Sequence, residues 1–135
     1  MRIKDKLEEI EQYLEELMVF VPSSFEDYKH NSMVKAACER YFEKIAEATM
    51  DLSFLLLLEK EWPSPENEEN VFVILLNRGI ISESLSKKLK EIKSMRNFLA
   101  HKYGKVNDEL VFHALAEELE KDVKEFLRAV RLNCV

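Results

Sequence analysis

Seven apolar residues in the middle of the chain, Val34, Cys38, Tyr41, Ile45, Ala48, Leu52 and Leu55, recur at alternating spacings of four and three. That strict seven-residue repeat is the seam of a bundle helix. It predicts one long helix from about Asn31 to Glu61, closed by Trp62-Pro63-Ser64-Pro65. A helix of that length buries its stripe only against other helices, so the rest of the chain should supply them.

It does. Ile3, Leu7, Ile10, Leu14 and Leu17 form a stripe that predicts a first helix from about Arg2 to Phe20. Pro22 disfavours helix at the residue before it, and Ser23 or Ser24 can cap a short turn through Tyr28. A shorter helix is expected from Glu66 to Asn77, acidic at its start, with Gly79 at its C-terminal cap. Leu85, Leu89, Ile92 and Leu99 predict a helix from about Ser82 to Tyr103, ended by Gly104. Asn107 should cap a last helix whose stripe is Leu115, Leu119, Val123, Phe126 and Val130. The expected fold is all-α, an antiparallel up-and-down bundle of four long helices plus a short one, with residues 1–135 forming a single domain.

Composition supports this where it excludes alternatives. The 135 residues hold only 2 Gly and 3 Pro, too few turn formers for an all-β fold of this size. An apolar fraction of 47% argues against disorder. There is no apolar run long enough to span a bilayer, and the charged N-terminus has no signal-peptide core. Cys38 and Cys134 have neither paired nor metal-type spacing and read as reduced thiols of a cytoplasmic protein. A net charge of −6 argues against a general nucleic-acid coat.

The charge is nevertheless uneven. Between Lys87 and Lys105 seven cations (Lys87, Lys88, Lys90, Lys93, Arg96, Lys102 and Lys105) face one acid, Glu91, so this segment carries +6 and the remainder −12. Such a stripe is either a solvated helix face or a footprint for a polyanion. Within it, Arg96-Asn97-Phe98-Leu99-Ala100-His101-Lys102-Tyr103 gathers chemistry-bearing side chains. His is the side chain that exchanges a proton near neutral pH, and Arg is a permanent forked donor to phosphate oxygens. With no carboxylate cage for a metal, the pair fits metal-independent RNA cleavage, in which the ribose 2′-hydroxyl attacks the adjacent phosphate. His101 would move protons and Arg96 would hold the growing charge. In a straight helix, however, the two lie about 140° apart. Arg96 instead shares the direction of the packed stripe, where a guanidinium needs a partner. Either the helix loosens before His101, or a second chain packs there about a two-fold axis.

The same octapeptide resembles the Arg–four residues–His–x–Tyr signature of HEPN domains, in particular HepT-like toxins. The likeness extends over nearly the whole chain. Arg40 through Leu52, with Ile45-Ala46-Glu47-Ala48, is similar to that family's second-helix segment, with Ala46 where the family commonly has Gly. The resemblance implies a homodimer with a composite site and ribonuclease activity by Arg96 and His101, with Asn97 as a supporting polar residue. It implies a partner antitoxin of the minimal nucleotidyltransferase type that transfers AMP to the motif tyrosine, here Tyr103. No metal or other cofactor, membrane or DNA partner is implied. Lys87, Lys90, Lys93, Lys102 and Lys105 are the candidate RNA-binding cations.

Plainer readings stand beside these. Tyr103 fits a core aromatic, and His101 fits a helix-end cap. His30 and His113 read as surface residues with no acid, cysteine or second histidine at ligand spacing. Glu47 reads as half of a structural ion pair, and Trp62 as a packing anchor. The rival function of a different class is a non-catalytic helical module that binds a nucleotidyltransferase partner or a nucleotide.

Overall fold

The computed structural model describes residues 2–101 and 107–134, and among them there are helices and no strands. Helix α1 spans Arg2–Phe20 and buries Ile3, Leu7, Ile10, Leu14 and Leu17, the stripe expected of it. Each of these side chains contributes roughly 1.5–3 kcal/mol on burial. That outweighs the exposed ion pairs on the same helix, each worth at most about 1 kcal/mol. After Pro22, α2 (Phe25–Lys29) makes one turn, with the Asp27 amide donating to Ser24 Oγ at 3.2 Å and Tyr28 wholly buried.

Helix α3, Ser32–Glu59, is the centre of the bundle. Its N-cap is Asn31, whose Oδ1 accepts from the Val34 amide at 3.1 Å. It packs against five other helices, and near its start it also meets α6 (Asp108–His113) through Lys35. The seam is therefore wider than the heptad: Phe42, Ala46, Thr49, Ser53, Leu56 and Leu57 are buried beside it, while Val34, Tyr41 and Leu55 are only half-buried. The helix ends two residues earlier than expected, because Glu61 adopts φ 58°. Glu61 and Trp62 then donate their amides back to the Leu58 and Leu57 carbonyls. This is the Schellman closure that usually employs glycine.

The acidic stretch Glu66–Glu69 does not join the next helix, contrary to the sequence expectation. The Asn70 amide donates to Asn67 instead, at 3.2 Å to both its carbonyl and its Oδ1, and α4 is confined to Asn70–Asn77. Gly79, at φ 77°, closes α4 as anticipated, with Ile80 donating to the Leu75 carbonyl. Trp62 anchors this end of the bundle, with the Arg78 guanidinium 5.0 Å from its ring centre.

Helix α5 covers Glu83–His101, capped by Ser82 Oγ, which accepts from the Leu85 amide. It buries Leu85, Leu89, Ile92 and Leu99. Asn107 caps α6, which continues through a π-helical turn at Ala114–Glu118 into α7, Leu119–Cys134. Leu115, Leu119, Val123, Phe126 and Val130 are all buried.

Contacts between helices give their directions. Glu16 meets Tyr41 and Lys6 meets Asp51, so α1 and α3 are antiparallel. Lys35 meets Asp108 and Lys60 meets the Asn133 carbonyl, both 73 residues apart, so α3 runs parallel to the α6–α7 helix. Among the described residues the bundle has four long helices, with α6 and α7 taken as one, and the short α2 and α4, so the all-α fold is as expected. Among the described residues, no helix is long and apolar enough to cross a membrane.

Candidate functional site

Arg96 projects from α5 toward α3. Its Nη2 donates to Glu47 Oε1 at 3.1 Å, and its Nη1 donates to Asn97 Oδ1 at 3.0 Å. Its Nε is buried and has no hydrogen-bond partner among the described residues. The partner that a guanidinium on a packed stripe requires thus comes from the same chain, and Glu47 is the ion-pair residue expected from the sequence. The side chains of Arg96 and Glu47 keep 32% and 40% of their exposure, so the pair stays open to an incoming ligand.

Around the pair lies a hollow of about 120 Å³, lined by Ala46, Glu47, Asp51, Glu68, Lys93 and Asn97, among others. Lys93 Nζ stands 3.9 Å from Glu68 Oε2 and is mostly buried. The Ala46 side chain stands on the wall of this hollow. Sequence reading did not find Asp51 and Glu68 as members of this cluster, since their approach to α5 is a tertiary event with no local signal.

Helix α5 stays α-helical to His101, so loosening before His101 is not what the described residues adopt. His101 is exposed at the helix C-terminus. In a continuous helix it points about 140° away from Arg96. It shares a surface direction with Phe98 and Ser94, residues three and seven before it.

The cations separate into two groups. Lys88 pairs with the buried Asp122 at 3.4 Å, and Lys93 is drawn into the polar hollow. Lys87 and Lys90 are exposed and make no ion pair among the described residues. Tyr103, Lys102, Lys105 and the Gly104 cap lie outside the described residues.

Two histidine readings need correction. His30 and His113 are exposed, but each has an acid one helical turn away: Glu26 at 3.1 Å from His30, and Glu117 at 2.6 Å from His113. No group of three or more His, Cys, Asp or Glu among the described residues is placed to hold a metal ion.

A family model described as ribonuclease HepT-like matches residues 6–130. The chain is 25% identical over 89 residues to an mRNA nuclease HepT from Shewanella oneidensis, a match covering 66% of each protein. It is 26% identical over 119 residues to a tRNA nuclease HepT from Aphanizomenon flos-aquae, covering 88% of this chain and 81% of that one. The chain therefore spans about two thirds of the first relative and more of the second. In three dimensions it is similar to a tri-AMPylated Shewanella oneidensis HEPN toxin solved in complex with an MNT antitoxin. The TM-score is 0.88 at 21% identity, over 96% of both chains, and this likeness concerns the fold.

Proposed function

This chain belongs to the HepT-like ribonuclease family, and we propose that it is a metal-independent endoribonuclease toxin of a two-component module. The observation that carries the reading is Arg96, held by Glu47 and Asn97 on the helix that ends in His101. A guanidinium has five N–H donors, and these two bonds use only two of them. Arg96 can therefore keep its supports and still offer N–H groups to a phosphate. The positions of the motif arginine and histidine, and the names borne by the relatives, support the same conclusion.

In the proposed reaction the ribose 2′-oxygen bonds to the adjacent phosphorus while the bond to the 5′-oxygen breaks. His101 accepts the 2′-hydroxyl proton or protonates the leaving oxygen, and Arg96 stabilises the charge on the pentavalent phosphorus. The products are a 2′,3′-cyclic phosphate and a 5′-hydroxyl. Since one continuous helix points Arg96 and His101 in different directions, the working site is composite, formed at the interface of a homodimer. A minimal nucleotidyltransferase antitoxin silences it by transferring AMP from ATP to the Tyr103 hydroxyl, releasing pyrophosphate. The module is cytoplasmic, where RNA and ATP are both available.

The test is RNA cleavage by the purified protein in EDTA, with the new ends analysed. Cleavage should persist, leave cyclic phosphate and disappear in His101→Ala. Metal-dependent activity or full activity in His101→Ala would overturn the mechanism. Light scattering should show a dimer, and a monomer that cleaves RNA would remove the composite site. A protein that binds the nucleotidyltransferase but cuts no RNA would be a binding module instead.

A further inference from the structure

Lys87, Glu91, Ser94, Phe98 and His101 follow one another along α5 at spacings of four, three, four and three, forming one surface stripe. The stripe borders a groove of about 520 Å³ between α5 and the start of α6. Its floor is Met95, Phe98, Leu110 and Val111, and Lys87 and Lys90 stand on its rim. That volume is in the range of small-molecule pockets.

Two features set the groove apart from ordinary apolar surface. Leu110 is 60% exposed, and the half-buried Phe98 ring enters no ring–ring contact among the described residues. The rim cations are Lys87 and Lys90, which make no ion pair among the described residues, whereas Lys88 and Lys93 are engaged by Asp122 and Glu68.

We propose that this groove is a base-binding subsite for single-stranded RNA, taking one unstacked base on the Phe98 ring with phosphates further along the strand on Lys90 and Lys87. The inference rests on the ribonuclease reading above. An apolar floor with an aromatic face suits the flat surface that every base presents. Glu91 and Ser94 are also on the groove wall. The carboxylate repels phosphate, which keeps the strand's backbone at the cationic rim, and it accepts hydrogen bonds from exocyclic amino groups of a base. His101 is one turn beyond Phe98, about 4.5 Å along the helix axis. A base seated on Phe98 therefore brings the adjoining ribose and phosphate to the residue that moves the proton.

The test uses a short single-stranded oligoribonucleotide methylated at every 2′-oxygen, so that binding is read without cleavage. Phe98→Ala should weaken binding about tenfold, as expected for loss of one base–aromatic stack. The slope of affinity against salt should stay the same, because a stack releases no counterions. Phe98→Tyr should restore affinity. Leu110→Ser, at an exposed position, should weaken binding in the same direction without a folding cost. Wild-type affinity in Phe98→Ala and Leu110→Ser overturns the subsite, and loss of the nucleotidyltransferase partner from those same variants would assign the groove to protein docking. If the oligonucleotide depends on Phe98 but natural RNA is never cut, the subsite stands and the nuclease reading falls. If natural RNA is cut while both variants bind normally, the nuclease stands and the subsite falls.

Discussion

Arg96 on α5 and Glu47 on α3 are 49 residues apart in sequence and 3.1 Å apart in space. The contact fixes the side-chain direction of a residue that otherwise has four rotatable bonds. Both partners are about a third exposed, so the pair contributes little to folding, at most about 1 kcal/mol. Its role is positional. Arg96→Ala should abolish RNA cleavage while lowering the unfolding free energy by less than about 1 kcal/mol. Glu47→Gln keeps an oxygen acceptor and should retain more activity than Glu47→Ala. Urea titration beside a cleavage assay checks both, and equal activity in the two Glu47 variants would show that the carboxylate does not orient the guanidinium.

The stripe of lysines does not act as a unit. Lys87 and Lys90 are exposed, while Lys93 is turned toward Glu68 with its side chain only 12% exposed. Each phosphate contact to a single strand contributes about 0.7 to the salt slope. Replacing Lys87 and Lys90 together by Gln should therefore weaken RNA binding and flatten the slope by about 1.4. Lys93→Gln should leave the slope nearly unchanged. An equal effect from all three positions would show that Lys93 releases Glu68 when RNA arrives.

Much of this was legible because helix stripes are local. The Arg2–Phe20 helix, the helix start near Ser82, the Asn107 cap and the Gly79 closure all depend on residues within one or two turns of each other. The errors arose where a local rule met a competitor. Glu66–Glu69 suit a helix N-terminus, but Asn67 captures the Asn70 amide and starts the helix later. The π-helical turn at Ala114–Glu118 leaves the spacing of Val111, Leu115 and Leu119 at four residues, so the apolar pattern does not reveal it. The site was legible as a motif but not as a geometry. Asp51 and Glu68 join Arg96 only through packing, and the Phe98 groove depends on where α6 begins.

Cys38 provides a pH prediction. Burial, with a smaller contribution from the neighbouring Glu39 charge, pushes its thiol up from 9.0 to about 11. The folded state thus favours the neutral thiol. Its contribution is complete below pH 9 and is lost as pH rises through about 11, at up to about 1.4 kcal/mol per pH unit. Tyr28, raised above its ordinary range by burial, acts in the same direction at still higher pH. Stability from urea titrations should fall between pH 9 and 11, and Cys38→Ala should show a shallower fall. A thiol reagent at neutral pH should modify Cys134, which is partly accessible, and reach Cys38 only on unfolding. Rapid native-state reaction of both thiols would show that α3 opens locally.

Tyr103 tests the proposed control. In sequence it lies two residues beyond His101, the last described residue of α5. Attack of its hydroxyl on the α-phosphate of ATP would add a phosphodiester with one negative charge and a bulky adenosine close in sequence to His101, the proposed proton-transfer residue. The charge competes with RNA phosphate for the local cations, and the adenosine obstructs access. Tyr103→Phe keeps the ring and removes the acceptor. This variant should cut RNA at the wild-type rate, gain no AMP mass when incubated with the nucleotidyltransferase and ATP, and remain toxic when the two are co-expressed. Intact mass and growth curves measure both outcomes. If the partner silences Tyr103→Phe as fully as wild type, inhibition proceeds by occlusion alone, and the modification is not the switch.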